Sequence, residues 1–292
     1  MKIAFLGLGL IGGSVALAVR AAPSYAGATL AAWTPSGDGP SRALAAGTLD
    51  EAPADPVDAL RDADLVILAA PPLACVALLR RMGADGDLAG LLGPHATVTD
   101  VSSTKRVVAE AALQAGVPFV GGHPMAGREA SGFDAADAGL FRDRPWVVTA
   151  GANGGDQAAV RALALACGAR VVEMGPARHD RLVAAISHLP LVTSVALVEA
   201  VAGTGIAPAP DWADAARIAA TGWRDTTRLA RGDVTMGAEI LATNGEAVAA
   251  VLRDYRDRID GWLALLEAQG GPDAGALGVR LAAAKARLDE RA

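Results

Sequence analysis

The sequence predicts an α/β fold, with a doubly wound parallel sheet over residues 1–175 and an all-helical segment over 176–292. Three observations carry this reading. Short apolar runs of strand length alternate with helical runs as far as about residue 175. The run DLVILAA at 64–70 is almost continuously apolar, as in strands buried on both faces of a parallel sheet. After Gly175-Pro176 no strand pattern persists and helical periodicity takes over.

Taken in order, the chain opens with an apolar β-type run at 3–6 that feeds into Gly7-Leu8-Gly9-Leu10-Ile11-Gly12, and an apolar helical run follows at 15–19. This strand, glycine turn and helix form the context of a dinucleotide fingerprint, so the sheet is read as Rossmann-type. Gly7 allows the tight turn, Gly9 lets a pyrophosphate approach the backbone, and Gly12 lets the helix pack close to the strand. The helix N-terminus at Leu10 and Ile11 offers free N–H groups and a partial positive charge to phosphates. A second strand at 28–33 ends in the turn-rich loop TPSGDGP. An acid there would usually take the adenosine ribose hydroxyls, but Thr34, Ser36 and, shortly after, Arg42 stand there instead. These groups can donate to a phosphate, which favours NADP over NAD as cofactor. Asp38, several residues into the loop, is the alternative ribose ligand.

A short helix at 41–46 precedes the strand at 64–70, which runs out at Ala70-Pro71-Pro72, where it would line the cofactor crevice. Then come a helix at 73–82, a strand at 96–101, a helix at 104–115, a strand at 117–120 and the loop GGHPMAG at 121–127. Strands at 146–149 and 170–174 flank a helix at 157–167. The helical half is cut at Pro190, at 203–210 and at Gly222, and ends in helices at 246–266 and 276–291.

A net charge of −6 with scattered Arg residues argues against a nucleic-acid partner. Cys75 and Cys167 sit in apolar surroundings without a CxxC and read as buried free thiols of a reducing compartment. A strand beginning at residue 2 leaves no room for a signal peptide, and no apolar run approaches the ~20 residues that span a bilayer. The expectation is a cytoplasmic protein without a membrane partner or a metal, paired as a homodimer through its apolar helices.

Four polar clusters stand in apolar or glycine-rich settings. Ser102 and Ser103 in DVSSTK lie at the carboxyl end of a strand, facing the ligand crevice, and on sequence alone read first as a helix N-cap. His123 in GGHPMAG reads as a general base near the same crevice or as an exposed loop histidine. His188 in SHLP sits inside an apolar helix that Pro190 kinks; a histidine there is more often a core or interface residue than a catalyst. Arg224 and Arg228 share a helix face and suit either a carboxylate substrate or a solvated pairing with Asp225.

In order and wording these clusters resemble the prephenate/arogenate dehydrogenases of tyrosine biosynthesis. The resemblance spans almost the whole chain and rests on GLGLIGGS at 7–14, DVSSTK at 100–105, HPMAGREASG at 123–132, LF at 140–141, SHLP at 187–190 and RDTTRLA at 224–230. It implies NAD(P)-dependent oxidative decarboxylation of a cyclohexadienyl acid. His123 would accept the proton of the ring hydroxyl, and Ser103 would hydrogen-bond that hydroxyl and His123. Arg228 would hold a substrate carboxylate, His188 and Gly127 would line the pocket, Glu129 would sit near its mouth, and Ser102 would touch the cofactor. Many family members have a second His where Leu191 stands and a Trp where Gly237 stands, which leaves arogenate open beside prephenate. The competing readings are another dehydrogenase of this architecture acting on a small hydroxy acid, and a non-catalytic nucleotide-sensing module.

Overall fold

The computed structural model describes residues 1–128, 130–205, 207 and 209–290. By internal contacts the chain divides into two compact units, Met1–Gly245 and Glu246–Ala292.

In the first unit, β1 (Lys2–Leu6) leads into α1 (Leu10–Ala21), β2 (Thr29–Trp33), α2 (Asp38–Ala45) and α3 (Pro56–Leu60). Next come β3 (Leu65–Leu68), α4 (Pro72–Met82), β4 (Thr97–Asp100), α5 (Arg106–Ala115) and β5 (Phe119–Val120). These strands form a parallel sheet of order β2-β1-β3-β4-β5, with β1 between β2 and β3: Ile3 pairs with Leu30 on one side and with Leu65 on the other. The two-residue side-chain period sends Ile3 and Phe5 into the core on one face and Ala4 and Leu6 into the core on the other, so both faces of the sheet are covered. The order reverses between β1 and β3, which opens the crevice at the strands' carboxyl ends.

A smaller sheet follows. In it β6 (Gly122–Pro124) pairs antiparallel with β7 (Pro145–Val148), and after α6 (Gln157–Ala166) β8 (Arg170–Glu173) pairs parallel with β7. His123 therefore lies in a strand opposite Val147, and the loop expected at 121–127 begins only after Pro124. A three-residue strand is too short for periodicity to reveal. The second helix also starts earlier than expected, at Asp38, because Pro40 falls in its first turn, where no intrahelical N–H bond is lost.

After Pro176 the described chain is helical: α7 (Pro176–Val183), α8 (Leu189–Ala202), α9 (Trp212–Ile218), α10 (Thr221–Thr227) and α11 (Val234–Thr243). The boundary expected at 175/176 marks where strands stop, but the compact unit runs on to Gly245. Hydrogen bonds tie the early helices to the sheet half. The Glu239 carboxylate of α11 accepts from Leu73 N–H at the start of α4 (2.8 Å), and the Thr104 and Thr243 hydroxyls meet at 3.0 Å.

Pro190 does not break its helix. A single π-turn, Ala184–His188, joins α7 to α8 and absorbs the missing N–H, so the helix is continuous over 176–202. By length and composition this helix could cross a membrane, which corrects the expectation that no segment is long and apolar enough. The helix is rooted in the first unit by His179 and Asp180, both buried, while Leu182 and Val195 are exposed. Both thiols are buried, and desolvation pushes each up to about 12, which leaves them inert.

The second unit contains α12 (Gly245–Leu266) and α13 (Ala274–Asp289). The Arg280 guanidinium lies 4.3 Å from the Trp262 ring centroid and donates to Arg258 C=O at 2.7 Å, which pins the two helices together.

Candidate active site and cofactor crevice

A cleft of about 710 Å³ brings together Ser103 after β4, His123 on β6, Gly127 beyond it and Arg228 after α10. Met236 and Ile240 of α11 form an apolar wall. Three motifs far apart in sequence thus share one cavity. Glu129 lies outside the described residues. Arg228 opens a 3-10 turn, so it does not share a regular helix face with Arg224, and its side chain is exposed at the cleft.

His123 is 8 % exposed, and its Nδ1 lies 2.8 Å from Nε2 of His179. His179 Nδ1 in turn lies 2.7 Å from the Asp180 carboxylate. These contacts fix the tautomers once Asp180 is charged. Burial pushes the Asp180 carboxyl up, but hydrogen bonds from His179 and from the Lys105 and Arg106 backbone N–H groups outweigh it and hold it below the usual carboxylate range. An ionised Asp180 requires a proton on His179 Nδ1, which leaves His179 Nε2 as acceptor and places the His123 proton on Nδ1. His123 Nε2 is then a lone pair available to a substrate. Burial first, then the nearby His179, Lys105 and His188 side chains, which disfavour a further cation at His123, push the His123 pKa well below the usual imidazole value. It is therefore neutral at pH 7, because desolvation disfavours the imidazolium, and its burial corrects the alternative reading as an exposed loop histidine.

The serine cap expected at 102–103 is not formed. The Lys105 and Arg106 N–H groups that open α5 donate instead to the two Asp180 oxygens, at 2.8 and 2.9 Å. Ser102, expected at the cofactor, is buried, and its hydroxyl is held by Asp100 and Lys105. Asp100 also accepts from Gly122 N–H at 3.1 Å and pairs with Lys105, both side chains being fully buried. One carboxylate thereby ties the Ser102–Ser103 turn to the strand that carries His123. His188 is buried beside this network, and its Nδ1 accepts from the Asn244 amide at 3.1 Å. Burial first, then His179, pushes its pKa down to about 4 against the opposing pull of Asp180. Its Nε2 is buried without a partner among the described residues, and Ile186 and Ser187 of the same π-turn face the cleft in its place.

Residue-type reasoning missed the roles of His179, Asp180, Asp100 and Lys105, while Asn244, like Met236, matches the resembling family's helices in sequence. The available signal was an adjacent His-Asp pair nine residues before His188-Leu189, at the head of the first helix beyond the sheet.

The second crevice, about 350 Å³, is bounded by Leu8, Gly9, Thr34, Ser36 and Arg42 on one side and by Gly132 and Phe133 on the other. Its glycine turn fits a dinucleotide. Gly7 has φ +105°, and a Cβ there would lie 2.3 Å from Ala69 C=O. A Cβ on Gly12 would lie 2.7 Å from the Ala69 side chain, whereas Gly9 has open space before it. Leu10 and Ile11 begin α1, whose N-terminus carries no acidic side chain and no side-chain cap, leaving its N–H groups to a ligand. Ala70 and Pro71 are half-buried at the carboxyl end of β3. The Thr34 and Ser36 oxygens accept from Gly37 and Asp38 N–H, so their hydroxyl protons remain free to donate. Asp38, the alternative ribose ligand, lines the same crevice.

A family model described as the prephenate dehydrogenase nucleotide-binding domain matches residues 29–173, and one described as the prephenate dehydrogenase dimerization domain matches residues 175–274. The chain belongs to the prephenate dehydrogenase family. It is 33% identical over 267 residues to a prephenate dehydrogenase of Bacillus subtilis, covering 89% of this chain and 67% of that one. It is also 33% identical over 260 residues to a cyclohexadienyl dehydrogenase of Zymomonas mobilis, covering 87% and 84%. Among solved structures, Synechocystis arogenate dehydrogenase superposes with a TM-score of 0.79 at 33% identity over the full length of both chains. Within this family the two departures noted in the sequence prove to be neighbours: a Cβ on Gly237 would sit 3.7 Å from Leu191 Cδ2.

Proposed function

We propose that the protein oxidises and decarboxylates a cyclohexadienyl acid, arogenate or prephenate, to tyrosine or 4-hydroxyphenylpyruvate. Family membership supports this, and the observation that carries it is the His123–His179–Asp180 chain, which leaves one imidazole lone pair in a cleft shared with an arginine. NAD(P)+, when bound in the crevice above the glycine turn, supplies the hydride acceptor. Ser103 and His123 Nε2 take the ring hydroxyl between them, and His123 accepts its proton as the alcohol becomes a ketone. The imidazolium so formed is stabilised through His179 by the Asp180 carboxylate, as in other histidine–carboxylate arrangements. Arg228 holds a substrate carboxylate by a forked, charge-assisted contact. Loss of CO2 then follows from aromatisation of the ring and asks for no further acid or base.

Two finer readings go with this. With Leu191 and Gly237 side by side in place of larger polar and aromatic groups, arogenate is used at least as well as prephenate. With Thr34, Ser36 and Arg42 at the end of β2, NADP+ is accepted and preferred. The apolar faces of the helix over 176–202 are covered by a second copy, in keeping with the family's dimerization domain. Steady-state rates followed at 340 nm with both substrates and both cofactors test all but the last. Turnover of neither acid would refute the function. A strong prephenate preference would remove the first finer reading, and indifference to NADP+ the second.

A further inference from the structure

The turn at 132–134 bridges the cofactor crevice. Phe133 is seated on α1: a Cβ added at Gly13 would fall 2.8 Å from its ring, so no side chain could stand between them. With Phe133 fixed there, the next residue, Asp134, reaches Arg42 on α2 and forms an ion pair across the crevice. Both side chains are largely exposed, 61% for Arg42 and 68% for Asp134. The guanidinium that lines the crevice with Thr34 and Ser36 is thus already engaged by a carboxylate of this same chain.

We propose that Asp134 is a specificity-determining residue that tempers the choice between the two cofactors by occupying Arg42. This rests on the reading that Arg42 receives the 2′-phosphate of NADP+. A phosphate dianion must displace the Asp134 carboxylate from Arg42 and sit near it, whereas the ribose hydroxyl of NAD+ carries no charge and leaves the pair intact. Asp134 therefore acts against NADP+ alone and narrows a preference that Thr34, Ser36 and Arg42 would otherwise make steep.

Titration calorimetry of the full-length protein with NADP+ and NAD+ tests this without reference to turnover. Asp134→Asn should tighten NADP+ binding about fivefold, the upper range for releasing one exposed ion pair, and leave NAD+ within twofold. The gain should vanish in an Arg42→Ala background, where there is no guanidinium to release. If Arg42→Ala weakens NADP+ alone while Asp134→Asn leaves the NADP+/NAD+ ratio unchanged, the role of Asp134 is wrong and the phosphate site stands. If Arg42→Ala weakens both cofactors equally and Asp134→Asn moves neither, both are overturned and Asp38 becomes the ribose ligand. A gain from Asp134→Asn that persists without Arg42 would mean general charge repulsion and refute the pairing.

Discussion

Two polar assemblies face the two crevices, and they differ in how far water reaches them. Behind His123 the carboxylates are buried and multiply bonded: Asp180 accepts from two backbone N–H groups and His179, and Asp100 pairs with a Lys105 that is 1 % exposed. Around Arg42 the groups are exposed, and the ion pair to Asp134 is open to solvent. Coulomb attraction is strong where water is excluded and weak where it is not, so the first assembly sets geometry and proton position, while the second only biases a choice. Substitutions in the first should change turnover by orders of magnitude; those in the second should change ratios by small factors.

The largest effect belongs to His123. His123→Asn should lower kcat about 10²–10⁴-fold, the usual contribution of a general base, with cofactor affinity kept. Near-normal turnover would remove His123 from the chemistry. Asp180→Asn should come next, with kcat reduced roughly 10²-fold or more. An amide can present N–H to His179 Nδ1, which reverses both imidazole tautomers and puts a proton on the nitrogen that must accept one. The KM for substrate should move little. If Asp180 serves only to cap α5, thermal stability will fall while kcat and its pH profile stay as they were.

Arg228 tests the border between the two regimes, because it lines the buried site's cleft yet is itself exposed. Arg228→Ala should raise substrate KM about 10–100-fold, the worth of a charged hydrogen bond of about 1.5–3 kcal/mol, without altering cofactor binding. An equal loss for substrate and cofactor would make the arginine structural.

The smallest effect is on stability. His188 is held neutral down to about pH 4, whereas in the unfolded chain it protonates near 6.5. The unfolded state therefore binds more protons between these values, and folding stability should fall as pH drops from 6.5 towards 4, by roughly 3 kcal/mol at the limit. Urea unfolding at pH 7 and pH 4.5 measures this, and His188→Gln should reduce the difference, the part that remains including the like contribution of His123. For activity the sign is that of any histidine base, with loss as pH falls, and only the midpoint moves down. His123 stays neutral below pH 6.5, so kcat should hold on the acid side until its depressed pKa is reached.

The same contrast separates what the sequence discloses from what it hides. The glycine turn is local: strand, Gly7, Gly9, Gly12 and helix are contiguous, so the steric need of each glycine can be read in place. The motifs around Ser103, His123 and Arg228 were readable as polar islands, and folding brings them to one cleft. The chain linking His123 to Asp180 was not readable, because its partners are 56 residues apart and the contact exists only when the first helix beyond the sheet docks. The serine cap was misread for the same reason. A local rule assigned the α5 N–H groups to the nearest hydroxyl, and a carboxylate from 74 residues away takes them instead. Pro190 misled in the other direction: a break in the ideal pattern was absorbed by one π-turn.

Asp180 has one consequence for the life of the polypeptide. His123 is contributed by the sheet half, while the histidine and aspartate that orient it belong to the first helix beyond. A chain in which this helix has not docked therefore lacks an oriented base. Competence for the reaction is a certificate that the helix is in place. During refolding, turnover should consequently recover no earlier than the docking of α7.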